Sequence, residues 1–213
     1  MEQLIGITGY ARHGKDTAAR VLVDEFDYLR IGFADALKSM ALALNPIIGH
    51  LESGYAEVGL EPYRLAEAVA VDGWDKAKAD PEVRRFLQVL GTEGVRNHIG
   101  ENAWVEALQR VADPVLFDSL EVYWREAGYE VNPWEKFRGV VVPDVRFPNE
   151  ERYIKDEGGL LIMVRRPNFD NGVGTDHPSE QFINQMNPDI VLEATSVEQL
   201  QALVRGALRE RFV

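Results

Sequence analysis

Residues 9–17 read Gly9-Tyr-Ala-Arg-His-Gly14-Lys15-Asp16-Thr17, and this stretch decides the fold class. Four residues separate the two glycines and a lysine follows the second, which is the spacing of a phosphate-binding loop. The glycines let backbone N–H groups turn inward, and the N-terminus of a following helix adds partial positive charge. Lys15 reaches the outer phosphates. The stretch therefore predicts a nucleotide-binding loop between a strand and a helix.

The residue after the lysine departs from the general motif. A serine or threonine usually binds magnesium at that position, whereas this chain has Asp16 there and Thr17 next. Two roles for Asp16 are open: it holds the metal, directly or through water, or it orients groups on the acceptor. Capping of the helix is the alternative without a ligand.

The apolar pattern on both sides of the loop alternates between strands and helices. Residues 3–8 predict a buried strand, the spacing after Thr17 predicts a helix, and residues 28–33 predict a second strand. The β-branched run 139–142 is typical of a parallel strand that is covered on both faces. Later elements are predicted as a helix at 149–157, strands at 160–164 and 189–192, and a helix that Ser196 caps. This order predicts an α/β fold with a parallel sheet flanked by helices.

The middle of the chain is less regular. A helix over 36–44 is predicted to stop at Asn45-Pro46, because proline cannot continue the hydrogen-bond ladder. Residues 47–80 contain scattered glycines, one Glu-Pro and one Asp-Pro, and a helix is predicted only near 63–70. This composition is typical of an insertion over a core.

Two more helices are predicted after this stretch, one ending at Gly91 and one closed by Asp113-Pro114. We interpret residues from about 45 to 113 as a helical insertion within a single domain of residues 1–213. Residues 114–138 are rich in aromatics and fit either a helix or a loop.

An acid and an arginine follow the strand 139–142. Asp144 and Arg146 are thus predicted at the carboxyl edge of the sheet, where α/β proteins bind ligands. Asp144 is suited to assist the metal or an acceptor hydroxyl, and Arg146 to neutralise charge that develops during phosphoryl transfer. A surface pair of Asp144 with Arg146 is the simpler alternative.

A predicted helix carries the other candidate site. Arg84 and Gln88 lie one turn apart and share a face, which can bind a monophosphate and the edge of a base, with Trp104 as a stacking platform. A solvated arginine face is the alternative. Residues 165–168 and 175–180 flank a glycine-bearing loop that is suited to closing over a nucleotide, and an ordinary surface loop is the alternative.

Composition limits the remaining function classes. The 35 acidic and 23 basic residues give a net charge of −12, which disfavours direct nucleic-acid binding. Arginines outnumber lysines by 17 to 6, which suits bidentate binding of small phosphorylated ligands. The chain has no cysteine, so disulfides and thiolate metal sites are excluded. No apolar run is long enough for a membrane span and no signal peptide is evident, which predicts a cytoplasmic protein.

Several of these stretches occur together in one order: GYARHGKDT at 9–17, FADALK at 33–38, VRRFLQVLGTE at 83–93, ENAWV at 101–105, VVPDVRFPNE at 141–150, MVRRP at 163–167, TDHPSE at 175–180 and DIVLEATSVEQL at 189–200. In that order and over nearly the whole chain, they resemble the bacteriophage-type deoxynucleoside monophosphate kinases. The Lys15-Asp16-Thr17 ending is the form associated with this family.

The resemblance implies a P-loop NTPase fold similar to that of nucleoside monophosphate kinases, with a helical substrate-binding insertion. It implies transfer of the γ-phosphoryl group of ATP, with Mg²⁺, to a deoxynucleoside monophosphate, which gives a deoxynucleoside diphosphate and ADP. Such a kinase supplies nucleotides for DNA synthesis, in the host cytoplasm if a phage encodes it. A homodimer is a further expectation, and no nucleic-acid or membrane partner is expected.

The resemblance also implies roles for individual residues. ATP would be bound by Arg12, Gly14, Lys15, Asp16 and Thr17, of which Asp16 and Thr17 would hold the metal. The acceptor would be bound by Leu37, Lys38, Trp74, Arg84, Gly91, Thr92, Trp104, Asp144, Arg146 and Glu150. The catalytic residues would be Lys15, Asp16, Asp144 and Arg146.

Two other functions stay open at this point. One is a different small-molecule P-loop kinase, such as a dephospho-coenzyme A kinase. The other is a nucleotide-binding switch without catalysis, which would have no acceptor pocket. The arginine-bearing helix, Trp104 and the Asp144–Arg146 pair argue against the switch.

Overall fold

The strand that leads into the Gly9–Thr17 loop is the middle strand of a parallel sheet. We describe the protein from a computed structural model, which covers residues 3–52, 60–116, 136–169 and 181–212. The elements in chain order are β1 (Leu4–Thr8), α1 (Lys15–Phe26), β2 (Tyr28–Arg30), α2 (Phe33–Leu44), β3 (Ile47–Glu52), β4 (Leu60–Arg64), α3 (Leu65–Ala77), α4 (Pro81–Gln88), a π-helix (Val89–Arg96), α5 (Ala103–Leu116), β5 (Gly139–Val145), α6 (Pro148–Asp156), β6 (Leu160–Arg165), a 3₁₀ turn (Ile183–Gln185), β7 (Ile190–Glu193) and α7 (Val197–Phe212).

The sheet has the strand order β2-β5-β1-β6-β7, and each neighbouring pair is parallel. Successive strand residues point to opposite faces, and each face has its own apolar core. In β5, Val140 and Val142 belong to one buried cluster, whereas Val141 belongs to the other. Helices α5 and α6 complete the first cluster, and α1 and α7 complete the second. The predicted α/β fold with a parallel sheet flanked by helices is confirmed, and it is consistent with a P-loop kinase.

The described chain forms two compact units. The first comprises Met1–Phe33 and Val105–Val213 and contains the parallel sheet, and the second comprises Ala34–Trp104. The second unit has a core of its own, which includes Ala41, Ile48, Leu65, Val83 and Leu87. The prediction of one domain with an insertion over about 45–113 stays a prediction.

The second unit contains an antiparallel pair of strands, β3 and β4, that the sequence pattern does not predict. Ile48 is buried, but Ile47 and Leu51 are apolar and exposed, so the stretch lacks the alternation that marks a half-buried strand. The helix predicted near 63–70 begins later, since Tyr63 belongs to β4 and α3 begins at Leu65.

The prediction that a helix ends at Gly91 is wrong. The chain continues as the π-helix, in which the N–H of Asn97 donates to the carbonyl of Thr92, five residues earlier. Glycine ends a helix when it takes the left-handed conformation, whereas Gly91 is buried within the π-helix with Leu37 packed beside it.

The prediction that a helix closes at Asp113-Pro114 is also wrong, because α5 runs to Leu116. A proline removes one N–H donor, and burial of Leu116 in the core offsets that loss. Residues 117–135 and 170–180 lie outside the described part of the chain, and most of the predicted closing loop falls there.

No helix in the described ranges has the length and apolar character needed to span a bilayer.

Candidate functional site

The Gly9–Thr17 loop joins the carboxyl end of β1 to the N-terminus of α1. Gly9 has φ 137° and Gly14 has φ 103°, a region that side chains strongly disfavour. A Cβ atom on Gly9 would lie only 2.3 Å from the carbonyl oxygen of Val164 in β6. Both glycines are therefore required by the backbone path, and Arg12 also takes a left-handed conformation with φ 63°.

Lys15 is the first residue of α1 and is only 7% exposed. Its ammonium group donates hydrogen bonds to the carbonyl oxygens of Gly9, at 2.6 Å, and Tyr10, at 2.8 Å. Burial of a charge is costly unless it is hydrogen-bonded, and here the loop backbone provides the acceptors. The structure thus holds a positive charge against the loop and beside the positive end of the α1 dipole.

Asp16 and Thr17 follow in the first turn of α1, with Asp16 exposed and Thr17 half-buried. Gly14 occupies the N-cap position, so Asp16 is not the N-cap residue of α1. Its charge still interacts favourably with the helix dipole. The described residues contain no group of three or more acidic, histidine or cysteine side chains that would bind a metal by themselves.

His13 links the loop to the segment after β6, and the sequence analysis did not single it out. Its Nδ1 atom accepts a hydrogen bond of 3.1 Å from the backbone N–H of Arg166. Its ring lies 5.5 Å from that of Tyr10 and 5.9 Å, edge to face, from that of Phe169. The Arg166 guanidinium stacks over Phe169 at 4.3 Å. The sequence analysis noted the arginines near residue 165. It did not predict that this stretch contacts His13.

Asp144 lies at the carboxyl end of β5, as predicted. Its Oδ1 atom accepts a hydrogen bond of 2.9 Å from the backbone N–H of Phe33, the first residue of α2. A Cβ atom on Gly32 would lie 2.9 Å from Oδ2 of the same carboxylate and 3.1 Å from the Nη2 atom of Arg30, and neither residue was predicted as a site residue. Asp144 is therefore fixed at this edge by the residues that follow β2.

Glu150 is 3% exposed and holds the turn between β5 and α6. Its Oε2 atom accepts hydrogen bonds from the backbone N–H groups of Arg146, at 2.7 Å, and Phe147, at 3.1 Å. The carboxylate thus fixes the backbone that carries Arg146. Direct contact of Glu150 with an acceptor nucleotide stays a prediction.

Three predicted acceptor residues meet in the second unit. The indole N–H of Trp104 donates a hydrogen bond of 3.0 Å to the carbonyl oxygen of Gly91 in the π-helix. A Cβ atom on Gly91 would lie 3.0 Å from a methyl group of Leu37, a tight contact that would require the leucine side chain to shift slightly. Trp104 is 6% exposed. In this structure Trp104 supports the π-helix, and the predicted stacking role stays a prediction.

Arg84 is exposed on α4, and its guanidinium donates to the carbonyl oxygen of Lys78 at 3.2 Å. The next arginine, Arg85, is paired with Glu82 through two hydrogen bonds of 2.6 and 2.8 Å. That guanidinium lowers the pKa of the Glu82 carboxyl. Trp74 is half-buried against the core of the second unit.

The other two predicted acceptor residues have local partners. The ammonium group of Lys38 lies 3.4 Å from the Asp35 carboxylate, one turn earlier on α2. Thr92 is half-buried in the π-helix, where its carbonyl accepts the N–H of Asn97. Leu37, Lys38, Trp74, Arg84, Gly91, Thr92 and Trp104 thus lie in the second unit, whereas the Gly9–Thr17 loop, Asp144, Arg146 and Glu150 lie in the first.

Comparisons with known proteins point to one family. The model of the deoxynucleotide monophosphate kinase family matches residues 67–204. A protein of Acanthamoeba polyphaga mimivirus described as a "putative deoxynucleotide monophosphate kinase" is 30% identical over 192 residues, which cover 89% of this chain and 86% of the relative. The family match begins after the Gly9–Thr17 loop, whose assignment rests on its own sequence and geometry.

Proposed function

Because this chain belongs to the deoxynucleotide monophosphate kinase family, we propose that it transfers the γ-phosphoryl group of ATP to a deoxynucleoside 5′-monophosphate. The products are a deoxynucleoside diphosphate and ADP. The reaction would supply precursors for DNA synthesis. Membership of a kinase family makes the protein a phosphotransferase, and the donor and acceptor are the proposed parts. The observation that carries them is the buried Lys15 ammonium held against a glycine-rich loop at the carboxyl end of β1.

On the donor side, the loop and Lys15 bind the phosphates of ATP. Phosphate oxygens are charged acceptors, so they form stronger hydrogen bonds with the Lys15 ammonium than the carbonyls of Gly9 and Tyr10 do. Backbone N–H groups of the loop and the α1 dipole add to this attraction. Arg12, exposed on the loop, is proposed to contact the same phosphates.

Asp16 and Thr17 fit a magnesium ion by the chemistry of their donors. A carboxylate and a hydroxyl are the hard oxygen ligands that Mg²⁺ prefers, and the ion usually takes few protein ligands beside water and substrate phosphates. When bound, Mg²⁺ neutralises charge that develops on the phosphate oxygens during transfer. Lys15 and Arg146 provide further positive charge for the same purpose.

The reaction requires no covalent bond between the protein and a substrate. A phosphate oxygen of the acceptor forms a bond to the γ-phosphorus of ATP, and the bond from that phosphorus to the bridging oxygen of ADP breaks. The protein holds two anionic nucleotides in line and excludes water. In the second unit, Arg84 on α4 and the π-helix residues Gly91 and Thr92 are proposed to bind the acceptor. In the first unit, Arg146 is proposed to neutralise charge that develops during transfer, and Asp144 to assist the metal or the acceptor.

The test is ADP release from ATP and Mg²⁺ with each deoxynucleoside and ribonucleoside 5′-monophosphate in turn. Lys15→Ala is the active-site variant, and Lys76→Ala is the matched control, because Lys76 is exposed and pairs with Asp72 on the surface. We expect turnover with deoxy acceptors that Lys15→Ala abolishes and Lys76→Ala leaves unchanged. Turnover by Lys15→Ala would refute the role of the loop.

Two other results would favour the remaining alternatives. Phosphorylation of dephospho-coenzyme A, without turnover of any nucleoside monophosphate, would indicate a different small-molecule kinase. Binding of ATP without ADP production from any acceptor would indicate a nucleotide-dependent switch.

A further inference from the structure

Arg30 and Asp144 lie at the carboxyl ends of neighbouring strands of the sheet. β2 and β5 pair in parallel with Arg30 opposite Val141, and the N–H of Ile31 donates to the carbonyl of Val141 at 3.0 Å. Parallel strands present their carboxyl ends at one edge, so the residues after Val141 run beside those after Arg30. Arg30 is exposed at this edge, and the comparisons and the sequence assign it no role.

Gly32 shows how close the two side chains are. A Cβ atom on Gly32 would lie 3.1 Å from the Nη2 atom of Arg30 and 2.9 Å from the Oδ2 atom of Asp144. The guanidinium nitrogen and the carboxylate oxygen are therefore within about 6 Å of each other, the range in which opposite charges interact appreciably. Because Gly32 has no side chain, the Arg30 guanidinium and the Asp144 carboxylate can both lie next to it.

The Asp144 carboxylate is held from a second direction. Its Oδ1 atom accepts the N–H of Phe33 at 2.9 Å. One carboxylate oxygen is thus fixed by the backbone at the start of α2, and Oδ2 lies on the side that Gly32 opens to Arg30. The positive charge of Arg30 on that side favours one orientation of the Asp144 carboxylate.

We propose that Arg30 is a positioning residue, which fixes the Asp144 carboxylate and offsets its negative charge at the edge where two anionic nucleotides meet. The proposal rests on the proposed kinase function and extends it to a residue pair that Gly32 makes possible. Loss of Arg30 removes a positive charge near the Asp144 carboxylate, whose negative charge then repels the incoming phosphates more strongly. Arg30 acts through Asp144 and does not itself bind a nucleotide.

The kinetic test compares Arg30→Ala, Arg30→Lys and Arg152→Ala, an exposed arginine on α6 that serves as control. We expect Arg30→Ala to lower kcat about tenfold, Arg30→Lys to recover most of the loss because the charge remains, and the control to match the wild type. In an Asp144→Asn background, Arg30→Ala should have less than about a twofold effect. An undiminished loss in that background, or a rise confined to the KM of one nucleotide, would refute action through Asp144.

Glycine substitution gives a second test that leaves both charges in place. Gly32→Ala puts a methyl group 2.9 Å from Oδ2 and 3.1 Å from Nη2, so one group must move, and we expect a loss of kcat similar to that of Arg30→Ala. Gly206→Ala on α7 is the matched control, because a Cβ atom there meets nothing within 4 Å. Wild-type kcat for Gly32→Ala would contradict the proposal.

A stability cycle separates this proposal from the proposed function. The melting temperatures of Arg30→Ala, Asp144→Asn and the double variant are measured without ligands, and we expect the double variant to lose less than the two single changes together. A wild type that phosphorylates no nucleotide, together with non-additive changes in melting temperature, would support the interaction of Arg30 with Asp144 and refute the kinase assignment. Strict additivity would refute the pair, whatever the activity.

Discussion

Replacement of Glu150 is expected to separate a positioning role from direct nucleotide binding. Its Oε2 atom accepts the N–H groups of both Arg146 and Phe147, so Glu150→Ala leaves two partly buried donors without their acceptor. Each such loss costs about 1–3 kcal/mol, and the partial exposure favours the lower half of that range. We expect a total of about 2–3 kcal/mol, which lowers the melting temperature of a chain of this size by roughly 5–10 °C.

Glu150→Gln is the matched conservative change, because an amide oxygen can occupy the position of Oε2. It keeps both hydrogen bonds but loses the charge that strengthens them, so we expect a cost of about 1 kcal/mol. If Glu150 acts by holding Arg146, Gln should retain kcat within about threefold, whereas Ala should lower it by more than tenfold. Glu106→Ala, at an exposed position of α5, is the control for loss of an acidic side chain.

Thermal unfolding followed by circular dichroism measures the first effect, and steady-state ADP release with both nucleotides varied measures the second. Equal losses of kcat in Glu150→Gln and Glu150→Ala would show that the charge itself acts on the reaction. A wild-type melting temperature for Glu150→Ala would show that the two backbone hydrogen bonds contribute nothing, and either result refutes the reasoning.

Four further substitutions test other parts of the site and core. Lys15→Ala should abolish transfer and leave the far-ultraviolet circular dichroism spectrum unchanged, and residual turnover would contradict the loop assignment. Arg84→Ala should raise the KM of the acceptor more than that of ATP, whereas equal effects would count against an acceptor role. Trp104→Phe removes the bond to the Gly91 carbonyl, so we expect a loss of about 1 kcal/mol and a higher acceptor KM, and wild-type values of both would remove its supporting role. Tyr153→Phe should raise stability by up to about 1 kcal/mol, because its buried hydroxyl has no hydrogen-bond partner among the described residues, and a lower melting temperature would contradict this.

The Gly9–Thr17 loop shows what local spacing can reveal. Its glycines and lysine lie next to one another in the chain, so the backbone path they require can be predicted without knowing what packs around them. The strand at 139–142 can also be predicted from the sequence alone, because a continuous β-branched run is typical of a parallel strand that is buried on both faces. These two features predicted the fold class, which the structure confirms.

Burial decides the contacts of residues whose types the sequence shows. Gly91 and Trp104 are predicted as parts of an acceptor pocket, which stays a prediction, and the structure adds that the Trp104 indole donates to the Gly91 carbonyl. The π-helix was not predicted, since the apolar spacing of this stretch was interpreted with the α-helical period, whereas the bonds of a π-helix join residues five apart. Glu150 did carry a signal, because an acid at the third position of a helix often caps its N-terminus.

The sequence by itself determined the glycine and lysine spacing of the Gly9–Thr17 loop, the parallel α/β fold and the family resemblance, because each depends on residue types at short, fixed spacings. Only the tertiary structure decided which side chains meet across the chain. His13 contacts Arg166, and Asp144 lies beside Gly32 and Arg30, although more than one hundred residues separate the partners in each case. The order of strands in the sheet creates these contacts, and no local pattern encodes a distance between residues that far apart.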